Sequence, residues 1–231
     1  ACSTLLAMAP IGGFWAEDEH VYIWQRALGR LSAARSGRGY VLWIGLQRYP
    51  GTLLLCALGL GAIEAARLKP LGRLFATTVQ TEGRDGLRAV QLLPPFSLFE
   101  NGGRVANILA GMEQRRAPLN DWLHEVLRQP MRRLIPNDDR YTYVFDKLEM
   151  LMALGYAHHA KRPKDRYWAP LGAFGYRDQN RDRFLQEMEE AIAREKEQAV
   201  YVQSGIFGNS PEVCAQELAA FREFMSTLGW W

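Results

Sequence analysis

The chain is short of the residues and motifs on which most protein chemistry is built. Its three cysteines, Cys2, Cys56 and Cys214, stand far apart with no CxxC spacing. An odd number so placed closes no disulfide framework and builds no cysteine-rich metal site, so a reducing cytosol is the expected home. No charged segment followed by an apolar one opens the sequence, so no secretory signal is expected; a first residue of Ala rather than Met suits a piece of a longer chain. The sequence contains no GxxxxGKS/T phosphate loop, HExxH zinc helix, GxSxG elbow or kinase motif set. No repeat of 20 to 50 residues is legible either, although paired helices recur. Lysine is scarce: 23 of the 28 basic residues are Arg, a bias more typical of GC-rich bacterial coding than of a nucleic-acid surface.

What is present reads as a folded, mainly α-helical protein. Hydrophobic residues make up 48% and charged residues 23% of the 231, ordinary globular usage that excludes intrinsic disorder. Length alone allows one large domain or two small ones. A single helical domain over 1–231 is the simpler organisation, with a possible division near 77–103 into 1–103 and 104–231. Either a multi-helix bundle or a solenoid-like array of helix pairs fits, with long loops and one small β-hairpin.

A long uncharged run, from Tyr49 to Ile63 in RYPGTLLLCALGLGAIEAAR, decides between occupations. As a membrane span it fails on length: at ~1.5 Å per residue it covers roughly 22 Å of a core of roughly 30 Å. As a nucleotide site it parses as strand, glycine turn and helix, with Gly59 making the turn and Gly61 letting phosphate approach. Glu82, eighteen residues past Glu64, would then contact a ribose. Against this, the third glycine position holds Glu64, and no further βα alternation follows. As a buried helix every residue fits. Pro50 suits the first turn, Leu53, Leu54, Leu55, Leu58 and Leu60 cover most of the circumference, and Ala57, Gly61 and Ala65 form a small-residue groove for a neighbouring helix.

Amphipathic helices surround this one in sequence. Val21, Trp24, Leu28 and Leu31 form a stripe, with Glu17, Asp18 and Glu19 expected in the first turn. Leu119, Leu123, Val126 and Leu127 form another, which Pro130 should kink or end. Tyr141, Phe145, Leu148, Met152 and Tyr156 form a third, capped by Asp138 or Asp139. Phe184, Met188 and Ile192 follow. The last helix starts at Ser210 and Pro211, carries Cys214, Leu218, Phe221, Met225 and Leu228, and ends at Gly229 before Trp230 and Trp231. Between the helices lie two long, glycine- and proline-rich loops, 77–103 and 162–180. Long loops in a compact fold often carry function, so these are the first places to look for a binding surface.

Candidate chemistry is sparse. His158 and His159 are adjacent, so on a helix they point about 100° apart and do not readily share one metal; near a helix end they complement its negative pole. Residues 115–183 hold 14 basic against 9 acidic side chains. Arg132, Arg133, Lys161, Arg162 and Lys164 could therefore form a polyanion patch, or simply a solvated face with interleaved acids.

The run WIGLQRYPGTLLLCALGLGAIEAARLKPLGRLF, with FDKLEMLMALGYA, WAPLGAFGYR, SGIFGNSPEVCAQELAAFREFM and the terminal LGWW, resembles helical, C-terminal regions of large bacterial multidomain proteins of the sirtuin-like or NTPase antiphage-defence type. The resemblance touches most of the chain, but the sirtuin-like catalytic signature is absent from it. It implies a non-catalytic helical part beside an enzyme, serving sensing, scaffolding or oligomerisation, without a cofactor of its own. Partners would be protein, either a second copy or other domains of the same chain, and not membrane. Two alternatives stay open: a nucleotide-binding enzyme domain using Gly59, Gly61 and Glu82, and a nucleic-acid-binding module using the basic patch.

Overall fold

The uncharged segment after Arg48 folds as a helix, and other helices enclose it. In the computed structural model, which describes residues 2–33, 46–81, 84–98, 113, 115–160, 167–176 and 178–228, the chain is mainly α-helical. The elements run α1 (Cys2–Phe14), α2 (Val21–Ser32), α3 (Tyr49–Glu64), α4 (Leu68–Phe75), β1 (Thr78–Thr81), β2 (Arg84–Arg88) and α5 (Ala89–Leu92), then a 3-10 turn at Pro95–Leu98. There follow α6 (Pro118–Met131), α7 (Asp138–His159), a 3-10 turn at Ala173–Tyr176, α8 (Asp178–Glu195), α9 (Val200–Ser204) and α10 (Pro211–Thr227). The two strands form one antiparallel hairpin, Val79 opposite Leu87, within the stretch where a hairpin is expected from the sequence. No helix of the described residues is long and apolar enough to cross a membrane.

α3 is buried from Leu54 through Ile63, and α1, α2, α4, α6 and α7 all pack on it. Its glycines set how close they come. A Cβ added at Gly61 would land on the Pro10 carbonyl oxygen, and one at Gly13 on the Leu58 carbonyl oxygen, so α1 and α3 touch backbone to backbone. On the opposite side Gly59 admits Leu148 of α7. The groove of small residues expected at Gly61 is thus filled by α1.

α7 is the second enclosed helix. Tyr141, Phe145, Leu148 and Met152 are buried as their spacing requires, but so are Val144, Met150, Leu151, Ala153 and Leu154. The N-cap is Asn137, whose Oδ1 accepts the Arg140 N–H at 2.7 Å, and not Asp138 or Asp139. Asn137 has the extended backbone a cap needs, while the two acids sit in the first turn, where the helix dipole favours them. The acids at 17–19 also fall elsewhere than expected, in the turn before α2 begins at Val21. α6 stops one residue after Pro130. Arg128 fastens the turn that follows, donating to the Ile135 and Pro136 carbonyls at 2.9 and 2.8 Å and pairing with Asp138.

In the last third, Phe184, Met188 and Ile192 of α8 and Cys214, Leu218, Phe221 and Met225 of α10 are buried together. Ser210 caps α10 by accepting the Val213 N–H, and Pro211 occupies N1. Arg222 clasps Glu189 through three hydrogen bonds, tying α10 to α8. Gly229, Trp230 and Trp231 lie outside the described residues.

α3 ends in a Schellman turn: the Arg67 N–H reaches the Ala62 carbonyl at 2.7 Å and the Ala66 N–H that of Ile63 at 3.0 Å. The left-handed residue of this turn is Ala66, at φ 55°, where a Cβ is unfavourable. Ala66→Gly is expected to stabilise the fold by roughly 0.5–1 kcal/mol, read from the urea midpoint at constant slope. An unchanged or lowered midpoint would show that the turn is not strained.

Candidate functional site

Gly59 and Gly61 form no turn. Both lie within α3, their backbone amides inside the helix and their Cα atoms pressed on Leu148 and on Pro10 and Phe14. Glu64 pairs with Arg140 at 2.9 Å. The strand and open amides that cradle a pyrophosphate are replaced by helix–helix contact, because this apolar segment gains more from burial on all sides than from a sheet edge. Glu82 lies outside the described residues.

The two long loops do come together. Pro94, Pro95 and Phe96 from the first and Pro170, Leu171 and Gly172 from the second roof a small cavity. Its lower wall is Cys56, Leu123, Phe145, Leu148 and Met152, with Asn120 and Glu149 supplying the polar side. Phe96 and Trp168 join the loops at 4.8 Å between ring centres, and Tyr156 packs on Trp168 at 5.5 Å. The space measures about 20 Å³, room for about one water molecule.

Two buried carboxylates of α7 hold the second loop and the start of α8. Glu149 accepts the Phe174 N–H at 3.0 Å and Asn120 Nδ2 at 2.5 Å, and a Cβ on Gly172 would land on its carboxylate. Asp146, one turn earlier, accepts Asn180 Nδ2 at 2.8 Å. Buried carboxylates need such donors, and charge-assisted bonds to them are strong enough to fix a loop. The neighbouring Cys56 thiol is pushed up to about 12 by burial and by Glu149, and burial with Glu217 nearby pushes Cys214 up to about 11. Both thiols stay protonated at neutral pH and are poor nucleophiles. The cluster therefore anchors loops rather than offering a reactive group.

Neither Asp146, Glu149 nor Asn120 stands out in the sequence. The one trace in the sequence is that Asp146 and Glu149 stand three residues apart among Val144, Phe145, Leu148, Met150 and Leu151, a spacing that puts both on one side of a helix rich in apolar residues.

His158 and His159 do not share a role. The His158 ring lies 3.0 Å from Glu217, linking α7 to α10. His159 is held neutral instead: burial, then Arg88 and His158, lower its pKa from 6.5 to about 4. It does not serve the helix dipole as a cation at neutral pH, because desolvation outweighs that attraction. Among the described residues, Glu17, Glu19 and His20 are the one group whose ligand atoms gather closely enough for a metal, and all three are exposed.

Of the basic patch, Arg132 and Arg133 are exposed just past the end of α6 and make no ion pair among the described residues. Lys161, Arg162 and Lys164 lie outside those residues. Beside the two arginines runs a groove of about 550 Å³ lined by Leu6, Ala7 and Ile11 of α1 and by Gln129, Pro130 and Leu134.

No family model, curated protein or solved structure matches the chain.

The buried His159 makes stability depend on pH. Unfolded, it takes up a proton near pH 6.5; folded, only near 4, so the unfolded state binds more protons across that window. Stability is expected to fall as pH drops from about 6.5 to about 4, by urea denaturation, and His159→Gln to flatten that part of the slope. An identical slope in the variant would place His159 in a solvated setting.

Proposed function

We propose that this chain is an association module, a non-catalytic helical scaffold that works by burying the outer face of α1 against protein. The reading rests on one observation: in the second half of α1 and the turn after it, small residues are turned inward and large ones outward. Ala9, Pro10, Gly13 and Ala16 face the core, with Leu5 and Leu6 partly buried against it, while Met8, Ile11 and Trp15 are 57%, 48% and 63% exposed. Burial normally sorts side chains the other way, since each large apolar group left in water forgoes about 1.5–3 kcal/mol. A helix with no charge, exposing Met8 and Ile11 in line with Trp15 just past its end, is shaped for a second burial on assembly.

The loop-anchoring role of Glu149 and the protonated thiols support the same reading, because the most enclosed polar cluster is occupied in holding the fold. So does the resemblance of the packing motifs to helical regions of antiphage-defence proteins, where such a module would sit beside an enzymatic one in a larger bacterial chain. The polyanion alternative draws support only from Arg132 and Arg133.

Association through this face is expected to appear as a concentration-dependent species larger than 26.3 kDa in sedimentation, from about 1 to about 100 μM. Ile11→Asp with Trp15→Asp should return it to 26.3 kDa with the circular dichroism unchanged, since both side chains are already exposed. A chain that stays monomeric throughout, or associates equally well with both substitutions, would sink the reading.

A further inference from the structure

Resting on that reading, we infer that the surface covering α1 is α1 of a second copy, antiparallel and related by a two-fold axis at Ile11. Three features of the face make it complementary to itself.

Its outer residues recur at coiled-coil spacing. Thr4, Met8, Ile11 and Trp15 are separated by four, three and four positions, with Ala7 beside them, the pattern of a two-helix seam. The seam is also graded in size, from the smaller Thr4 and Ala7 at one end to Trp15 at the other. In a parallel pair two indole rings would meet and the small ends would leave a gap. In the antiparallel pair Ile11 meets Ile11, and each Trp15 covers Ala7 of the other copy. Large against small is how layers interdigitate without voids.

Charge is graded along the same line. Beyond Trp15 stand the exposed carboxylates of Glu17 and Glu19, while Asp18 is already engaged by Lys69 at 3.2 Å and Arg73 at 3.4 Å. Toward the other end, the exposed Arg132 and Arg133 border the groove whose α1 wall runs from Leu6 and Ala7 to Ile11. Turning one copy about Ile11 brings the acids of each over the arginines of the other, twice per dimer. A two-fold contact uses one patch on both subunits, so a patch with an acidic and a basic end closes on itself and stops at two. A parallel pair would set acid on acid and arginine on arginine, which electrostatics rejects.

A charge-reversal pair tests the register in the full chain. Glu17→Arg with Glu19→Arg, and separately Arg132→Glu with Arg133→Glu, should each weaken self-association about tenfold or more at low salt, because every cross-pair becomes like-charged. Mixed one to one, the two variants should form a heterodimer about as tight as the unaltered dimer, since both sets of cross-pairs are restored. Heterodimer restoration in sedimentation would establish the antiparallel two-fold. Variants that still dimerise alone, a mixture that fails to recover, or an assembly of more than two copies would overturn it. Loss of association on Ile11→Asp with Trp15→Asp would in those cases leave the face reading standing; a chain monomeric at every concentration would remove both.

Discussion

Two helices that touch backbone to backbone set the terms for the rest of the structure. Gly13 of α1 lies on the Leu58 carbonyl and Gly61 of α3 lies on the Pro10 carbonyl, so no side chain separates them. A contact this close gives each helix many short-range dispersion contacts, and it gives them only to small residues. α3 can therefore be apolar all round and still be covered, with α1 on its glycine side and α7 keyed to Gly59 on the other. The same contact spends the small face of α1 on the core. Met8, Ile11 and Trp15 are left outward as a direct consequence, and the association surface follows from how the core was closed.

The polar interior serves the same architecture. α7 is enclosed, so Asp146 and Glu149 had to find donors inside, and they found them on Asn180, Asn120 and the Phe174 backbone. Both long loops, the first places to look for a binding surface, converge on this helix through Phe96 and Trp168. There they enclose room for about one water, so the convergence works as a latch. Their outward rings, Phe96 among them, remain surface features of the fold.

Much of the fold is legible in the sequence because periodicity reports burial. The stripes of α8 and α10, the Ser210–Pro211 start and the enclosed α3 all stand where spacing and capping put them. What is not legible depends on neighbours distant in sequence. CSTLLAMAPIGGF contains Pro10 and a glycine pair, both helix-weakening signals, and becomes a helix because Gly13 is what α3 requires at that point. Asp138 and Asp139 read as caps only until Asn137 is set beside them. The acids of α7 lie beside an amphipathic stripe in the sequence; only Asn120 of α6, the Phe174 backbone and Asn180 of α8, packed on that flank, show them buried. For the surface of α1, exposure of the large residues is a property of the assembled core and leaves no mark in a linear pattern.

The glycine contact can be measured directly by amide hydrogen exchange on Gly61→Ala. The added Cβ would meet the Pro10 carbonyl, which belongs to a backbone that cannot rotate away, so α1 must lift. Gly29→Ala, where an added Cβ meets nothing within 4 Å, is the control. Exchange of the α1 amides is expected to quicken about ten- to hundredfold in Gly61→Ala, with α7 still protected and the control unchanged. Undiminished protection of α1 in Gly61→Ala would contradict the claim that this contact holds α1 in place and turns its large residues outward.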